Sequence, residues 1–369
     1  MPTPLEDIIK QKIRDEGPIS LADYMGLCLG HPEYGYYMTR DPFGVKGDFT
    51  TAPEISQMFG EMIGAWIADT WMKLGEPEKF ILLECGPGRG TLMSDILRAT
   101  KNVTGFHKAV QLHLMEMSPI LQKLQAEQLA QYDATWHNDL STLPDDCPVI
   151  IIGNEFLDAL PACQLTYREA RWMERMVELN INDAFRLREV EAEESLKTAI
   201  PSFLIPPKVG DHIEVSLEQK NFLTDLINIL LKQGGSSLFV DYGFIHNVAG
   251  DTMQAIKDHA YCNKFDTPGE ADITTHVNFA DISQAALEKN MTVHGPVSQG
   301  EWLQRLGVSI RFEQLMKNAN EMQRRDIDAA LKRLIGVGDK SSKREQGMGE
   351  LFKVIAFSSN PDIELAGFS

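Results

Sequence analysis

One stretch of the chain decides the fold, and it reads Phe80-Ile81-Leu82-Leu83-Glu84-Cys85-Gly86-Pro87-Gly88-Arg89-Gly90-Thr91. Its first six residues form an apolar run of strand length, and a glycine-rich turn leads from this run into a helical segment at Thr91. Because glycine has no Cβ, backbone N–H groups in such a turn can approach a ligand closely. The stretch therefore predicts a strand, a loop and a helix arranged to bind a nucleotide-type ligand.

The spacing of the glycines separates the cofactors that use such loops. A dinucleotide loop that starts at Gly86 requires glycine or alanine at position 91, which is Thr91 here. The pattern therefore counts against an NAD-dependent oxidoreductase. The Gly-Lys-Ser/Thr ending of a Walker loop is absent as well. The pattern E-x-G-x-G-x-G instead resembles motif I of S-adenosylmethionine-dependent methyltransferases.

An acidic residue at the end of the first strand favours the same cofactor. S-Adenosylmethionine carries a sulfonium and an ammonium and no phosphate, so Glu84 would attract it, whereas the same carboxylate would repel a pyrophosphate. We therefore predict that Glu84 binds S-adenosylmethionine together with Gly86, Gly88 and Gly90. The alternative is a structural turn whose glycines serve helix packing.

Further strands follow the first one at the spacing of an α/β protein. Strands are predicted at 110–116, 134–137 and 149–154, with a crossover helix at 119–131. The last of these strands is apolar without interruption, which is typical of a strand covered on both faces. Alternating strands and helices at this spacing predict a doubly wound parallel sheet.

Polar residues at the strand ends are candidates for cofactor contacts. Glu116 ends the second strand, where an acid can accept hydrogen bonds from both ribose hydroxyls. Asp139 follows the third strand and is a candidate for the adenine amino group, and Asn154 ends the fourth strand and is assigned to the cofactor as well. The alternatives are an exposed loop carboxylate for Glu116 and a turn or helix cap for Asp139.

Two carboxylates after the fourth strand are candidates for the reaction itself. Glu155 and Asp158 are three residues apart, a spacing that on a turn or short helix places both on one side. Paired carboxylates can hold a guanidinium through charge-assisted bonds, and methyl transfer depends mainly on alignment. We predict that both residues are catalytic and bind a cationic acceptor. The alternative is an acidic pair that complements a helix N-terminus.

Composition excludes several classes of protein. The 369 residues carry 35 Lys+Arg and 53 Asp+Glu, a formal charge of −18, so the chain lacks the basic surplus of a nucleic-acid binder. The sequence contains no apolar run long enough to span a membrane. Five cysteines without a C-x-x-C pair predict neither a disulfide framework nor a metal site, and they suit a reducing compartment. We expect a cytoplasmic protein. A processed organellar protein is the alternative.

The sequence as a whole resembles the MidA family of S-adenosylmethionine-dependent methyltransferases, which occurs in bacteria and mitochondria. The segments that carry the resemblance are 31–37, 47–56, 84–91, 116–119, 153–161, 272–279 and 348–354. The segments at 31–37, 47–56 and 153–161 are specific to that family, whereas motif I alone is not. The chemistry of the 47–54 part is open. It either closes over the cofactor or anchors the long helix that follows.

The resemblance implies a class I, Rossmann-like methyltransferase sheet. We expect an N-terminal helical extension at 1–76 and a methyltransferase domain at 77–369. The domain would contain accessory strands at about 162–191 and an insertion of loops and one helix at about 244–290. Mitochondrial members methylate an arginine of a core subunit of respiratory complex I and aid its assembly, so the implied partner is a protein with an exposed arginine. The alternatives are methylation of a cationic small molecule and a non-catalytic assembly chaperone. A homodimer is left open.

Overall fold

The computed structural model describes residues 2–42, 51–201, 206–246, 249–336 and 347–369. Its α-helices are α1 Pro4–Glu16, α2 Leu21–Gly30, α3 Tyr36–Thr39, α4 Ala52–Ile55, α5 Gln57–Lys73, α6 Thr91–Ala99, α7 Phe106–Ala109, α8 Pro119–Gln128, α9 Glu194–Thr198, α10 Leu217–Gln233, α11 Phe279–Glu288, α12 Gln299–Arg305, α13 Val308–Asn318, α14 Glu321–Ile335 and α15 Met348–Leu351. Short 3₁₀ helices lie at Thr100–Asn102 and Leu140–Thr142. Within the described ranges, every helix is too short or too polar to cross a bilayer.

The strands alternate with these helices over most of the chain. They are β1 Ile19–Ser20, β2 Phe80–Cys85, β3 Val110–Met115, β4 Ala134–His137, β5 Val149–Asn154, β6 Cys163–Arg168, β7 Arg171–Leu179, β8 Phe185–Glu191, β9 His212–Val215, β10 Gly235–Phe244, β11 Gln254–Lys257, β12 Ala260–Cys262, β13 Asp272–Thr274, β14 Val277–Asn278, β15 Thr292–Ser298 and β16 Phe352–Ser358.

The chain divides into two compact units, and each is assembled from separate stretches of sequence. Unit 1 comprises Met1–Phe49, Leu157–Phe222 and Asn247–His276, and unit 2 comprises Thr50–Phe156, Leu223–His246 and Val277–Ser369. The domain boundary that the sequence suggested at residue 76 stays a prediction.

Unit 2 contains the predicted parallel sheet. Its strand order is β15-β16-β10-β5-β2-β3-β4, with β14 paired to β10. The strands β4, β3, β2, β5 and β10 run parallel, and β16 runs antiparallel between β10 and β15. Every residue of β2 and β5 is buried, as their uninterrupted apolar sequences require. The α/β fold class predicted from the sequence is therefore confirmed.

Helices α5 and α6 pack closely on one another beside this sheet. A Cβ at Gly64 would lie 3.2 Å from the Cα of Ile96, so glycine permits the close approach. The core around them contains the large buried side chains Phe59, Trp66 and Phe80. This packing gives the strand ends of unit 2 a rigid support.

Unit 1 contains two smaller antiparallel sheets. One has the order β1-β7-β6-β9, with β8 on β7, and the other has the order β12-β11-β13. Helices α1 and α2 cover the first sheet, and Leu5, Ile9 and Tyr24 lie in a core with Val177 and Ile273. A capping box between Ser20 and Asp23 begins α2.

The insertion at about 244–290 differs in content from the sequence-based expectation. Loops and one helix were expected, and the structure contains helix α11, the two-residue strand β14 and the three further strands β11, β12 and β13. These strands have three or four residues each, which is too short for a recognisable alternation of polar and apolar residues.

Candidate active site

The carboxyl ends of β2, β3 and β5 meet at one edge of the unit 2 sheet. Three backbone hydrogen bonds continue the strand pairing past these ends: Gly86 N–H to the Met115 carbonyl (3.0 Å), Glu116 N–H to the His137 carbonyl (2.9 Å) and Glu155 N–H to the Val240 carbonyl (2.9 Å). The edge therefore gathers the glycine loop, Glu116, Asn154 and Glu155, which lie far apart in sequence. In open α/β sheets this edge is where ligands bind.

The three glycines of the loop all adopt left-handed backbone conformations. Their φ angles are 65° at Gly86, 53° at Gly88 and 79° at Gly90. A Cβ at Gly86 would lie 3.1 Å from the ring of Phe156, so a larger residue there would meet both strain and a neighbour. The loop thus depends on glycine at the position where its backbone leaves the strand.

Glu84 is a buried acid at the end of β2. Its side chain is 2% exposed, and burial raises the pKa of the carboxyl to about 8, with a further contribution from the charge of Glu116. Oε2 has no hydrogen-bond partner among the described residues. An incompletely satisfied carboxyl in this position is suited to receive a cation.

Glu116 is held by hydrogen bonds to both of its carboxylate oxygens. Ser118 N–H donates to Oε1 (2.8 Å) and the Gln125 side-chain amide donates to Oε2 (3.1 Å). Burial raises the pKa of Glu116 to about 7, although these bonds act in the opposite direction. The next residue, Met117, is an apolar side chain that is 61% exposed. Nothing in the local sequence around Glu116 indicated Gln125, which lies nine residues further along the chain.

Asp139 is exposed and caps the 3₁₀ helix that follows β4. Its Oδ1 accepts a hydrogen bond from Ser141 N–H at 2.8 Å, and the hydrogen bonds from Ser141 lower the pKa of the carboxyl. This is the capping alternative considered for the sequence. Contact of Asp139 with adenine stays a prediction.

Glu155 has a left-handed backbone, with φ at 51°, which is rare for a residue with a side chain. Its Oε1 accepts from Ala52 N–H (3.4 Å) and from the side-chain amide of Asn154 (3.2 Å). The carboxylate of Asp241 accepts from Phe156 N–H (3.2 Å) and holds the turn that follows. Such conformations cost about 1–3 kcal/mol and cluster at functional sites, so the conformation marks Glu155 as a functional candidate.

Asp158 belongs to unit 1, where it is buried at 4% exposure. Its carbonyl accepts from Thr275 N–H (3.1 Å). Its charge is among those that raise the pKa of Tyr37, after burial and the charge of Asp272, and the Tyr37 hydroxyl donates to Asp272 at 2.9 Å. No helix begins between 155 and 161, so the helix N-terminus proposed as the alternative for the acidic pair is not formed there. A common pocket for Glu155 and Asp158 stays a prediction.

The segment 47–54 is partly described. Residues 47–50 lie outside the described residues, and Thr51–Glu54 lead into and form part of α4. The Thr91 hydroxyl donates to Glu54 at 2.6 Å, and the Arg89 guanidinium lies 3.5 Å from the same carboxylate. Together with the bond from Ala52 to Glu155, these contacts join α4 to the glycine loop and to the candidate acceptor carboxylate. No local sequence pattern indicated Glu54, because its partners lie 35 and 37 residues away.

The arrangement fits S-adenosylmethionine. Glu84 presents a buried carboxyl oxygen without a described partner, the glycine loop has no Cβ where a ligand would approach, and Glu116 offers acceptor oxygens at the next strand end. Acceptors and negative charge suit a ligand with an ammonium, a sulfonium and ribose hydroxyls. The buried carboxyls of Glu84 and Glu116 would repel a pyrophosphate at the same edge.

Comparison with known proteins identifies the cofactor. Residues 62–297 match the model of a family described as "Putative S-adenosyl-L-methionine-dependent methyltransferase". The match covers β2 to β5 and the glycine loop. The predicted cofactor and the predicted enzyme class are therefore confirmed.

Curated relatives match this chain over most of its length. The protein arginine methyltransferase NDUFAF7 homolog, mitochondrial, of Drosophila melanogaster is 36% identical over 84% of this chain and 76% of its own. The protein arginine methyltransferase NDUFAF7, mitochondrial, of Mus musculus is 32% identical over 96% of this chain and 84% of its own.

These relatives contradict the cytoplasmic localisation expected from the sequence, because they are mitochondrial proteins. The cysteine content led to that expectation. A lack of disulfides indicates that a protein resides in a reducing compartment. It does not indicate which reducing compartment that is.

Solved structures agree with the fold. A crystal structure from Burkholderia thailandensis, bound to S-adenosyl-homocysteine, superposes with a TM-score of 0.84 at 26% identity and covers 100% of this chain and 97% of that chain. A second structure from the same organism has a TM-score of 0.81 at 24% identity. The resemblance noted in the sequence is confirmed by these matches. The chain belongs to the family of S-adenosyl-L-methionine-dependent methyltransferases that the matching model describes.

Proposed function

We propose that this protein transfers methyl groups from S-adenosylmethionine to an arginine side chain of a protein substrate. The observation that carries the proposal is Glu155, a carboxylate with a left-handed backbone directly after β5, the strand that pairs with β2 and so lies next to the glycine loop. The names of the curated relatives, which are protein arginine methyltransferases, support the same acceptor.

The residues of the chain supply alignment and charge. When bound, S-adenosylmethionine supplies a methyl group on a cationic sulfur. Glu155 binds the guanidinium of the acceptor, and the bonds from Ala52 and Asn154 fix the direction of its carboxylate. An arginine side chain stays protonated before the reaction, so a fixed negative charge orients it and stabilises the cation. The proton leaves the methylated nitrogen for water.

We assign the remaining site residues as the sequence suggested. Glu84, Gly86, Gly88 and Gly90 hold the methionine half of the cofactor, and Glu116 holds the ribose. Asn154 and Asp139 also bind the cofactor. Asp158 is a second carboxylate that binds the arginine of the substrate. The buried oxygen of Glu84 and the two anchored oxygens of Glu116 support the cofactor assignments. For Asp139 and Asp158, the support is their place after the third and fourth strands.

We also propose a protein of respiratory complex I as the first substrate to test. Mitochondrial members of the MidA family, which the sequence resembles, act on a subunit of that complex. The net charge of −18 suits a basic acceptor surface.

Sedimentation of the purified protein would test the homodimer that the sequence leaves open.

The decisive experiment identifies the methylated atom. The protein is incubated with isotope-labelled S-adenosylmethionine and a lysate from cells that lack it, and labelled peptides are sequenced by mass spectrometry. We expect label on arginine. Label found only on small molecules, or on other side chains, would contradict the proposal.

A matched pair of variants tests Glu155. We expect Glu155→Gln to lower turnover on the identified substrate by roughly a hundredfold, as for one lost transition-state contact. Affinity for S-adenosyl-homocysteine should change less than about threefold, because Glu155 is assigned to the acceptor. Glu76→Gln is the control, since Glu76 is an exposed glutamate with a similar φ of 52°. Asp158→Asn, measured in the same way, tests the second carboxylate.

A further inference from the structure

Gln125 is a completely buried polar residue of helix α8, and its side chain makes three hydrogen bonds. Its amide nitrogen Nε2 donates to the Gly88 carbonyl (2.8 Å) and to Oε2 of Glu116 (3.1 Å). Its oxygen Oε1 accepts from Nε1 of Trp136 on β4 (2.8 Å). One side chain thus joins the glycine loop, the end of β3 and the neighbouring strand.

The partners determine which way round the amide lies. The indole N–H of Trp136 can only donate, so it must face Oε1 of Gln125. The two hydrogens of Nε2 are then directed at two acceptors, the Gly88 carbonyl and the Glu116 carboxylate. Each polar atom of the amide therefore has a partner of the right type, and the reversed orientation would lose all three bonds.

The helix that carries Gln125 also lies against the loop. A Cβ at Gly90 would lie 3.5 Å from the Cα of Gln125, within van der Waals contact. One turn earlier on the same helix, the side-chain amide of Gln122 donates to the backbone carbonyl of Glu116 at 2.7 Å. Both the backbone and the carboxylate of Glu116 are thus tied to α8, whereas Gln125 alone of these two glutamines also reaches the loop.

We propose that Gln125 is a positioning residue of the cofactor site, which acts through Glu116 and the Gly88 carbonyl to set the distance between the ribose-binding carboxylate and the glycine loop. This rests on the proposed assignment of Glu116 to the ribose. Gln125 itself is directed at protein groups. A hydrogen bond donated to a carboxylate favours its charged form, so Gln125 also counteracts the rise in the pKa of Glu116 that burial causes.

The test compares two buried glutamines. Gln125→Met keeps the approximate volume and removes all three hydrogen bonds. Gln299→Met is the control, because Gln299 is equally buried in unit 2 and donates to the Leu334 carbonyl outside the candidate site. We expect the Gln125 variant to raise the Kd for S-adenosyl-homocysteine about tenfold or more, and the control to change it less than twofold. Thermal melting of both variants establishes that they are folded.

A pH profile and a double variant distinguish positioning from a general loss of stability. If Gln125 acts through Glu116, the midpoint of the pH dependence of Kd moves to higher pH in Gln125→Met. For the same reason, Glu116→Gln combined with Gln125→Met should lose less affinity than the sum of the single losses. Additive losses, an unchanged Kd or an equal loss in the Gln299 control would each overturn the proposal.

The single variant Glu116→Gln separates this proposal from the assignment on which it rests. Weaker binding in Glu116→Gln supports the ribose assignment independently of Gln125. If Glu116→Gln binds as tightly as the wild type, the ribose assignment fails and the proposal falls with it, whatever the result for Gln125→Met. If Glu116→Gln is weakened and Gln125→Met is not, only the positioning role is overturned.

Discussion

The two strand-end carboxyls Glu84 and Glu116 are both held partly protonated near neutral pH. Burial raises their pKa values to about 8 and about 7, and the charge of Glu116 adds to the electrostatic cost of charging Glu84. A cationic ligand favours the charged forms, so its binding lowers both pKa values. Binding of the cofactor and loss of protons are therefore linked.

We expect cofactor binding at pH 7 to release protons. Calorimetric titrations in buffers with different ionisation enthalpies measure the number released. Affinity should increase between pH 6 and 9, because the carboxyls need not then be deprotonated on binding. Glu84→Gln should bind more weakly and release fewer protons. Binding that is independent of pH in the wild type would show that neither carboxyl faces the cofactor.

Residues with a local signature could be predicted from the sequence, and residues without one could not. Glu84 and Glu116 directly follow apolar strand runs, which fixes their place at the sheet edge. Gln125 and Glu54 have no comparable signature, because the carbonyl and hydroxyl that they bind lie 37 residues away in sequence. Their roles follow from the packing of α8 and α4 against the loop.

The glycine loop is the element on which the cofactor site depends most directly. We expect Gly86→Ala to destabilise the fold by about 1–2 kcal/mol, because φ is 65°, and to weaken S-adenosyl-homocysteine binding at least tenfold. The added Cβ would press on the ring of Phe156, which follows Glu155. Denaturant unfolding and calorimetry measure the two effects separately.

Gly75→Ala is a matched control for this change. Gly75 has a φ of 88°, and a Cβ there meets nothing within 4 Å among the described residues. The Gly75→Ala variant should therefore be destabilised by a similar amount and keep its affinity for S-adenosyl-homocysteine. Equal losses of affinity in both variants would mean that backbone strain alone, and not the contact with Phe156, disturbs the site.

Among the larger elements, sequence patterns predicted the long, fully buried ones best. Strand β5 was expected at 149–154 and lies there, because a continuous apolar run flanked by turns leaves few alternatives. The three short strands of the insertion gave no pattern of their own. They form because they pair with one another across the insertion, as Ala255 of β11 does with Ile273 of β13.

At the scale of the whole molecule, the carboxyls of Glu84 and Glu116 make the ligand-free protein less stable at high pH. Their folded pKa values are raised above the unfolded value near 4.5, so the folded state binds more protons. Their contribution to stability is therefore complete below about pH 4.5 and is lost as the pH rises through 7 and 8. We expect a difference on the order of a few kcal/mol between pH 5 and pH 9, measured against Glu84→Gln.

Saturating S-adenosyl-homocysteine should oppose this trend. A ligand that binds only the folded state stabilises it in proportion to the logarithm of its affinity, and that affinity is expected to rise with pH. The increase in Tm on adding the ligand should therefore be larger at pH 8.5 than at pH 6. A constant increase at both pH values would contradict the linkage.

The position of β16 has a consequence for how the protein is made. This strand lies between β10 and β15, although it follows both of them in the chain. On the ribosome, the edge of β10 that β16 will cover stays unpaired until residue 358 has emerged. Exposed strand edges are templates for pairing with other chains, so the nascent protein passes through an aggregation-prone stage between the emergence of β10 and that of β16. Chaperones that shield such edges should therefore raise the yield of folded protein.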